Sequence, residues 1–411
     1  MIYKIAQTFV SKVLTALLSF LLVIITARYG GSVVRGEISL FVTNQAVIML
    51  FASIIGGPSI IYLSSKVNTG SLFVLSYIWS LAMALLISLV ILYLGFVSYE
   101  YFYFLLVISI LSCLFSVNTH FLLGLQKINV FNMLTIFQVL VLFISTVYFF
   151  IVKGNSDLYY YVISMTISYG ILFLASLFYL LTIKKDDQKR ENKNWTYYLK
   201  TGATAQFSNI IQFLNYRLSY YYIALLLSEE NLGLFSTCVI LTEATWLISS
   251  SLATVGYTKI SAEKDNEASK KIAFQLFRLN IILTLVPVLI LALIPDSYYL
   301  LIFGKDFQNI RGIILIMLAG AFMISMQRIM STYFSGIGKF HINNWAALLG
   351  LAFNTVLLYL LLSNYQLTGV AIASTITYLV IFSFSFYNFR SITGIRLADL
   401  KPDKTDFDLA V

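Results

Sequence analysis

The sequence predicts an all-α polytopic membrane protein. It should have about 12 transmembrane helices in two six-helix lobes related by a parallel pseudo-two-fold repeat. Three observations predict this. Hydrophobic residues make up 59% of the 411-residue chain and charged residues only 11%, against roughly 25% charged in soluble domains. Apolar runs recur that reach the roughly 20 residues a helix needs to cross hydrocarbon. Residues 184–200, KKDDQKRENKNWTYYLK, form the most polar stretch of the chain and leave six such runs on each side.

The runs are 5–28, 38–63, 71–96, 101–124, 130–152 and 158–183, then 203–227, 234–258, 273–294, 308–334, 342–363 and 367–389. Lipid excludes open sheets, so the spans should be helical. They lack the short alternating pattern of barrel strands. No small-residue cleavage site follows the first run, so it is expected to stay as the first helix. The domain reading is an N-terminal lobe 1–183, a basic connector 184–200, a C-terminal lobe 201–393 and a tail 394–411.

The net charge of +9 could suggest nucleic acid, but the placement of the charges gives a topology instead. Lys4, Lys66, Lys127, the connector, Lys259, Lys264, Lys270, Lys271, Lys339, Arg390, Arg396, Lys401 and Lys404 fall in alternate loops. Arg28, Arg35, Lys153, Lys305 and Arg311 fall in the others. Cytoplasmic loops carry the excess of lysine and arginine, so both termini and the connector are expected in the cytoplasm. The basic face would also meet anionic lipid headgroups.

The two halves carry an internal echo. Residues 124–132, GLQKINVFN, and 336–344, GIGKFHINN, both fit Gly-aliphatic-x-Lys-x-x-aliphatic-x-Asn. Each stands between the fourth and fifth span of its half. With six spans per half the halves share one orientation, which makes the repeat parallel. In span two, Gly56-Gly57-Pro58 should kink or break the helix, because proline removes a donor and clashes with the preceding turn. That bend could shape a gate, or the small residues could simply let helices pack closely. Pro287 and Pro295 are expected to mark a helix end and a turn.

Ionisable residues deep in a span are costly and are usually functional or paired. Lys12, Arg217, Glu243 and Arg328 qualify. Lys12 is about two turns from the cytoplasmic end and could snorkel to the headgroups; the other three lie further in. Helical phase groups Ser236, Glu243, Ser250 and Thr254 on one face. It likewise groups Ser325, Arg328, Thr332 and Ser335 on span ten, and Thr8, Ser11, Lys12, Thr15 and Ser19 on span one. In span seven, Thr204, Ser208, Gln212, Asn215 and Ser219 form one stripe, and Arg217 points the other way with Gln206, Tyr220 and Tyr221. Two readings stay open. Arg217 and Arg328, with Lys12, line a cationic cavity for an anionic group, which the planar guanidinium fork suits. Alternatively, Arg217 and Glu243 form an ion pair between adjacent helices.

The tyrosine-rich segments 99–104 and 158–161 read as interfacial belts; stacking on sugars is a further use for 219–222, SYYY. Cys113 and Cys238 lie inside spans as packing residues. His120 and His341 stand far apart near span ends, and no metal site is expected. No Walker A, GxSxG, HExxH or CxxC sequence occurs. The longest loop is lysine-rich and lacks the carboxylates of a membrane glycosyltransferase. The chain is therefore expected not to be an enzyme and to use no cofactor, with proton or sodium coupling left open.

Several segments resemble the polysaccharide-unit flippases of the Wzx type. ARYGGSVVRGEISLF (27–41) is similar to the end of their first helix and the turn after it. GGPSIIYLSSK (56–66) is similar to the end of their second helix. FLLGLQKINVFN (121–132) is similar to their fourth-to-fifth junction. Residues 215–255, from NYRLSYYY to SSSLATV and including Glu243, are similar to their seventh and eighth helices. The resemblance implies a fold of two six-helix lobes, shared with multidrug and lipid II exporters of the same superfamily. It implies movement of an undecaprenyl-pyrophosphate-linked oligosaccharide from the cytoplasmic to the periplasmic leaflet of a bacterial inner membrane, by alternating access, for O-antigen or capsular polysaccharide. It implies a cationic central cavity, lipid contacts, and a polysaccharide polymerase and chain-length regulator as partners. The alternatives are a cation-coupled drug exporter of the same fold and, behind it, a membrane-embedded assembly enzyme. Many relatives carry Arg-Leu-Asp in the seventh helix where this chain has Arg217-Leu218-Ser219. That departure leaves Glu243 as the candidate coupling residue.

Overall fold

The computed structural model describes residues 2–64, 67–183, 195–263 and 265–394. Among these the chain is helical with no strand. It divides into two compact units, 1–210 and 211–411. The first unit holds α1 (Ile2–Gly56), α2 (Ser59–Leu63), α3 (Thr69–Tyr93), α4 (Tyr99–Gly124), α5 (Ile128–Val147), which runs on into a π turn at Tyr148–Val152, and α6 (Leu158–Thr182). The border falls inside α7 (Trp195–Leu226). After it come α8 (Glu229–Ala244), α9 (Trp246–Ala262), α10 (Asn266–Leu293), α11 (Asp296–Phe303), α12 (Ile310–Gly336) and α13 (Phe340–Thr393). Of the connector, 184–194 lies outside the described residues and 195–200 opens α7; of the tail, 395–411 lies outside. Lys66 and Lys264 lie outside as well.

Among the described residues, eight helices are long and apolar enough to cross a membrane, and α8 with α9 makes a ninth as a broken span. Two of the eight are double. At about 1.5 Å per residue, the 55 residues of α1 and the 54 of α13 are over twice the length of a roughly 30 Å hydrocarbon core. Each breaks once, α1 at Gly31 (φ 77, ψ −177) and α13 at Gln366 (φ 47, ψ −133). Counting each limb, and adding the more polar α7, recovers the twelve crossings.

Loops were expected between spans one and two and between spans eleven and twelve. The chain instead turns at one residue in each place. Gly31 has no Cβ to oppose its positive φ. Gln366 holds the corresponding angle with a side chain and stores strain there. Span eight, expected over 234–258, bends by 44° between α8 and α9. Its threonines explain the bend, since hydroxyls that bond back to the preceding turn bend helices. Thr242 Oγ1 donates to the carbonyls of Cys238 and Val239, and Thr245 Oγ1 donates to that of Thr242 at 2.6 Å. Pro287 lies inside α10 and does not end it, while Pro295 stands at the cap of α11.

Short polar caps close several other loops. Asn68 Oδ1 accepts from the backbone of Gly70 and Ser71, and Asp157 Oδ1 accepts from Tyr160. Ser228 Oγ accepts from Asn231. Each meets an orphan donor of a helix start.

The internal echo is a repeated piece of backbone. After α4, Gln126 takes φ 59, and the Lys127 amide donates to Leu122 O at 2.8 Å. After α12, Gly338 takes φ 77, and the Lys339 amide donates to Phe334 O at 2.7 Å. Lys127 and Lys339 then precede α5 and α13 with φ/ψ of −83/53 and −90/52. The leading glycine is fixed in both cases by a close neighbour. A Cβ on Gly124 would collide with Ser64 Oγ, and one on Gly336 would stand 2.5 Å from Ile260 Cγ2. Each of those neighbours lies near the end of the second crossing of its half.

Candidate functional site

Three of the four span-depth ionisable candidates, Arg217, Glu243 and Arg328, lie in the C-terminal unit. Arg217 on α7 and Glu243 on α8 form a two-pronged ion pair. Arg217 Nη1 donates to Glu243 Oε1 at 2.7 Å, and Nη2 donates to Oε2 at 2.9 Å. Their side chains keep 23% and 22% of their surface. Arg217 also lies over the Tyr220 ring, 5.2 Å from its centroid. This is the pairing that phase left open. The opposite stripe of α7 meets α13: Asn215 Nδ2 donates to Ala347 O at 2.9 Å, and Asn354 Nδ2 donates to Asn215 O at 3.2 Å.

Arg328 on α12 has different company. Its Nη1 donates to Ser250 Oγ, and its guanidinium lies over the Trp246 ring, 5.5 Å from the centroid. Among the described residues no carboxylate pairs with Arg328. Glu243 and Ser250 are seven residues apart, and their side chains reach the two arginines from the two sides of the α8–α9 bend.

An aromatic triad accompanies the arginines. Tyr216 and Trp246 stand 5.1 Å apart, Tyr216 and Tyr378 6.1 Å, and Trp246 and Tyr378 6.0 Å. Trp246 is buried, and among the described residues its indole N–H has no acceptor. Buried donors without partners are uncommon in folded proteins. The sequence reading missed Tyr216, Trp246 and Tyr378 as site residues. The available signal was that they lie well inside spans, away from the interfacial levels where tyrosine and tryptophan concentrate. With two arginines and one glutamate, the cluster carries one net positive charge. It offers planar N–H donors for anions and aromatic faces for C–H groups.

The other predicted residues lie in the N-terminal unit. Lys12 is exposed on the first limb of α1, Ser11 beside it is buried, and Thr15 Oγ1 donates to the carbonyls of both. The side chain of Thr8 lies outside the described residues. Gly56 is the last residue of α1, and the chain restarts after Pro58. Ser59 Oγ donates to the Ile54 carbonyl at 3.1 Å, supplying one partner where the ladder is interrupted. The last turn of α1 before the break is tightly packed. A Cβ on Gly56 would stand 2.7 Å from Ser80 Oγ, and one on Gly202 of α7 would collide with Ile54 O. Cys113 and Cys238 are buried free thiols. Among the described residues no group of histidine, cysteine or carboxylate side chains could hold a metal.

No protein-family model matches the chain. No curated protein matches it either. Solved structures do. A lipid II flippase, MurJ, in an inward closed conformation has a TM-score of 0.73 at 14% identity, over 97% of this chain and 89% of that one. An inward-facing multidrug resistance transporter of the MATE family in the MOP superfamily has a TM-score of 0.71 at 13% identity, over 92% and 96%. A mutant of the Vibrio cholerae MATE transporter VcmN has a TM-score of 0.64 at 12% identity, over 97% and 98%. At such identities the likeness is one of fold: the chain has the fold of MOP-superfamily transporters.

Proposed function

We propose that the protein is a flippase that carries a pyrophosphate-linked glycan on a polyprenyl lipid across a bacterial inner membrane by alternating access. The carrying observation is the pair of span-depth arginines beside an aromatic triad. A pyrophosphate needs fork-shaped, permanently charged donors; a sugar needs flat apolar faces. Arg217 and Arg328 bind the phosphate groups in this reading. The break at Gly56, Gly57 and Pro58 serves as a bend point. The cytoplasmic termini, the undecaprenyl carrier and a place beside a polymerase and chain-length regulator belong to the same proposal.

The runner-up is a multidrug exporter, which the fold supports equally. Its cationic substrates would need free carboxylates. The span-depth carboxylate of the cluster, Glu243, is already held by Arg217. Coupling to a proton or sodium gradient through Glu243 belongs to either reading.

The test is surface polysaccharide in cells carrying Arg217→Ala or Arg328→Ala. Each variant loses a charged fork and is expected to cut surface polymer about tenfold or more at unchanged protein level. Lysine at either position should recover part of it, since charge stays and the fork is lost. Normal polymer in both alanine strains, or dye efflux dependent on Glu243 with no polymer phenotype, would overturn the proposal in favour of the exporter.

A further inference from the structure

We infer that Glu243 is an internal stand-in for the ligand: its carboxylate occupies the Arg217 fork that an incoming diphosphate must take over. The inference rests on the assignment of Arg217 and Arg328 to anion binding and adds a second role, a competitor built into the protein.

The asymmetry between the arginines carries it. Among the described residues, Arg328 is held by neutral groups: a serine hydroxyl and an indole face. Arg217 is held by a carboxylate through both terminal nitrogens. A carboxylate and a phosphate present a similar pair of oxygens to a guanidinium fork. Glu243 therefore satisfies Arg217 in the same manner as the ligand would, and the two cannot share the fork.

Two further features suit displacement. The pair is not sealed, since each side chain keeps over a fifth of its surface, and exchange needs no unfolding. Glu243 is also the next-to-last residue of α8, at the 44° joint with α9. Beyond the joint, α9 carries Trp246 and Ser250, which hold Arg328. Glu243 on one side of the bend and Ser250 on the other thus each hold one arginine. A diphosphate bridging the arginines would take Arg217 from the first and share Arg328 with the second.

The consequence is a tuned affinity. When the binding-competent state is only a fraction of the population, apparent affinity falls by that fraction. Glu243 keeps Arg217 in its occupied state until the ligand arrives, and retakes it afterwards. A carrier gains from this, because its ligand must leave on the far side.

The test is equilibrium binding of inorganic pyrophosphate and of a polyprenyl pyrophosphate to protein in nanodiscs. Glu243→Gln keeps the shape and one acceptor but loses the charge. It is expected to bind both probes about tenfold or more tightly than the wild type, as removal of a competing state requires. Glu243→Asp, with a shorter reach, should gain a few-fold and serves where the glutamine variant does not fold. Arg217→Ala combined with Glu243→Gln should return to the weak binding of Arg217→Ala alone. A purely structural ion pair predicts the opposite sign, weaker binding and a lower melting temperature in every Glu243 variant, and that result would overturn the inference. If the wild type binds through Arg328 yet a folded Glu243→Gln protein gains nothing, the stand-in role fails alone. If neither probe binds any variant, the anion-binding assignment fails and takes this inference with it.

Discussion

At the α4–α5 connector of the N-terminal unit and the α12–α13 connector of the C-terminal unit, the chain follows the same path. A close-packed glycine, a residue at positive φ and a lysine cap recur in order. The interiors near those connectors differ. In the N-terminal unit, Tyr77 Oη donates to Asn118 Oδ1 at 2.6 Å, Asn118 Nδ2 donates to Ser176 Oγ at 2.9 Å, and Gln138 bonds with Ser168. These are neutral groups that join helices. In the C-terminal unit, Arg217, Glu243 and Arg328 bring charge to span depth. Backbone geometry is thus shared by the halves while this side-chain chemistry is not. A neutral network needs only satisfied hydrogen bonds; buried charge needs partners and is retained where it serves a function.

Four sets of substitutions would break or sharpen that contrast. The largest effect is expected from Gly202→Ala in the N-terminal unit, where the carbonyl of Ile54 fills the space a side chain would need. Forced overpacking of this kind costs about 3 kcal/mol or more, read as lost monodisperse protein and melting temperature. Gly312→Ala in α12, where nothing lies within 4 Å, is the control and should be neutral or slightly stabilising.

Next comes Arg217→Ala, which strands Glu243. Removing one partner of a buried pair costs about 3–5 kcal/mol; exposure of over a fifth of each side chain puts this case below that range. Arg217→Ala with Glu243→Ala should recover part of the loss. A coupling energy near zero in that cycle would mean that the ion pair does not hold α7 to α8.

Asn118→Ala should follow, at about 1–3 kcal/mol, because it strands the buried end of Tyr77 and removes the donor to Ser176 Oγ, which keeps its own bond to the Phe173 carbonyl. Unlike the arginine variants, it should leave pyrophosphate binding unchanged in the protein that folds. A binding defect there would erase the distinction between the units.

The smallest effect belongs to the connectors. Gln126→Gly should stabilise by up to about 1 kcal/mol by relieving positive φ, and Gly338→Ala should cost about as much. Equal and opposite shifts in melting temperature would show that the two turns are energetically as well as geometrically alike.

Much of this was legible in the chain. Crossing segments show as apolar runs because hydrocarbon punishes polar residues wherever they stand. The break at Gly56-Gly57-Pro58 shows because proline acts on its own turn. The connector repeat shows because a positive φ and a lysine cap are local requirements. The one-residue turn at Gln366 left no signal, since glutamine is an unusual choice there. The bend at Thr245 has a local cause, but threonine hydroxyls bond back in straight helices too. Arg217 and Glu243, 26 residues apart on different helices, were legible as candidates and as one of two open readings, an ion pair or a cationic cavity, between which the sequence could not choose.

By itself the sequence determined that the chain is helical, crosses a membrane many times, repeats once, and carries a few charges at depth. Those are properties of single residues and short windows against the solvent around them. Only the tertiary structure decided which arginine meets a carboxylate and which meets an indole and a serine. It also decided that the glycine at 202 lets α7 press against the carbonyl of Ile54. Those outcomes depend on how helices far apart in sequence rotate and cross, and on side chains reaching a few ångströms across that packing. A single helix's periodicity records which face is polar, but the partner that face meets is set by another helix.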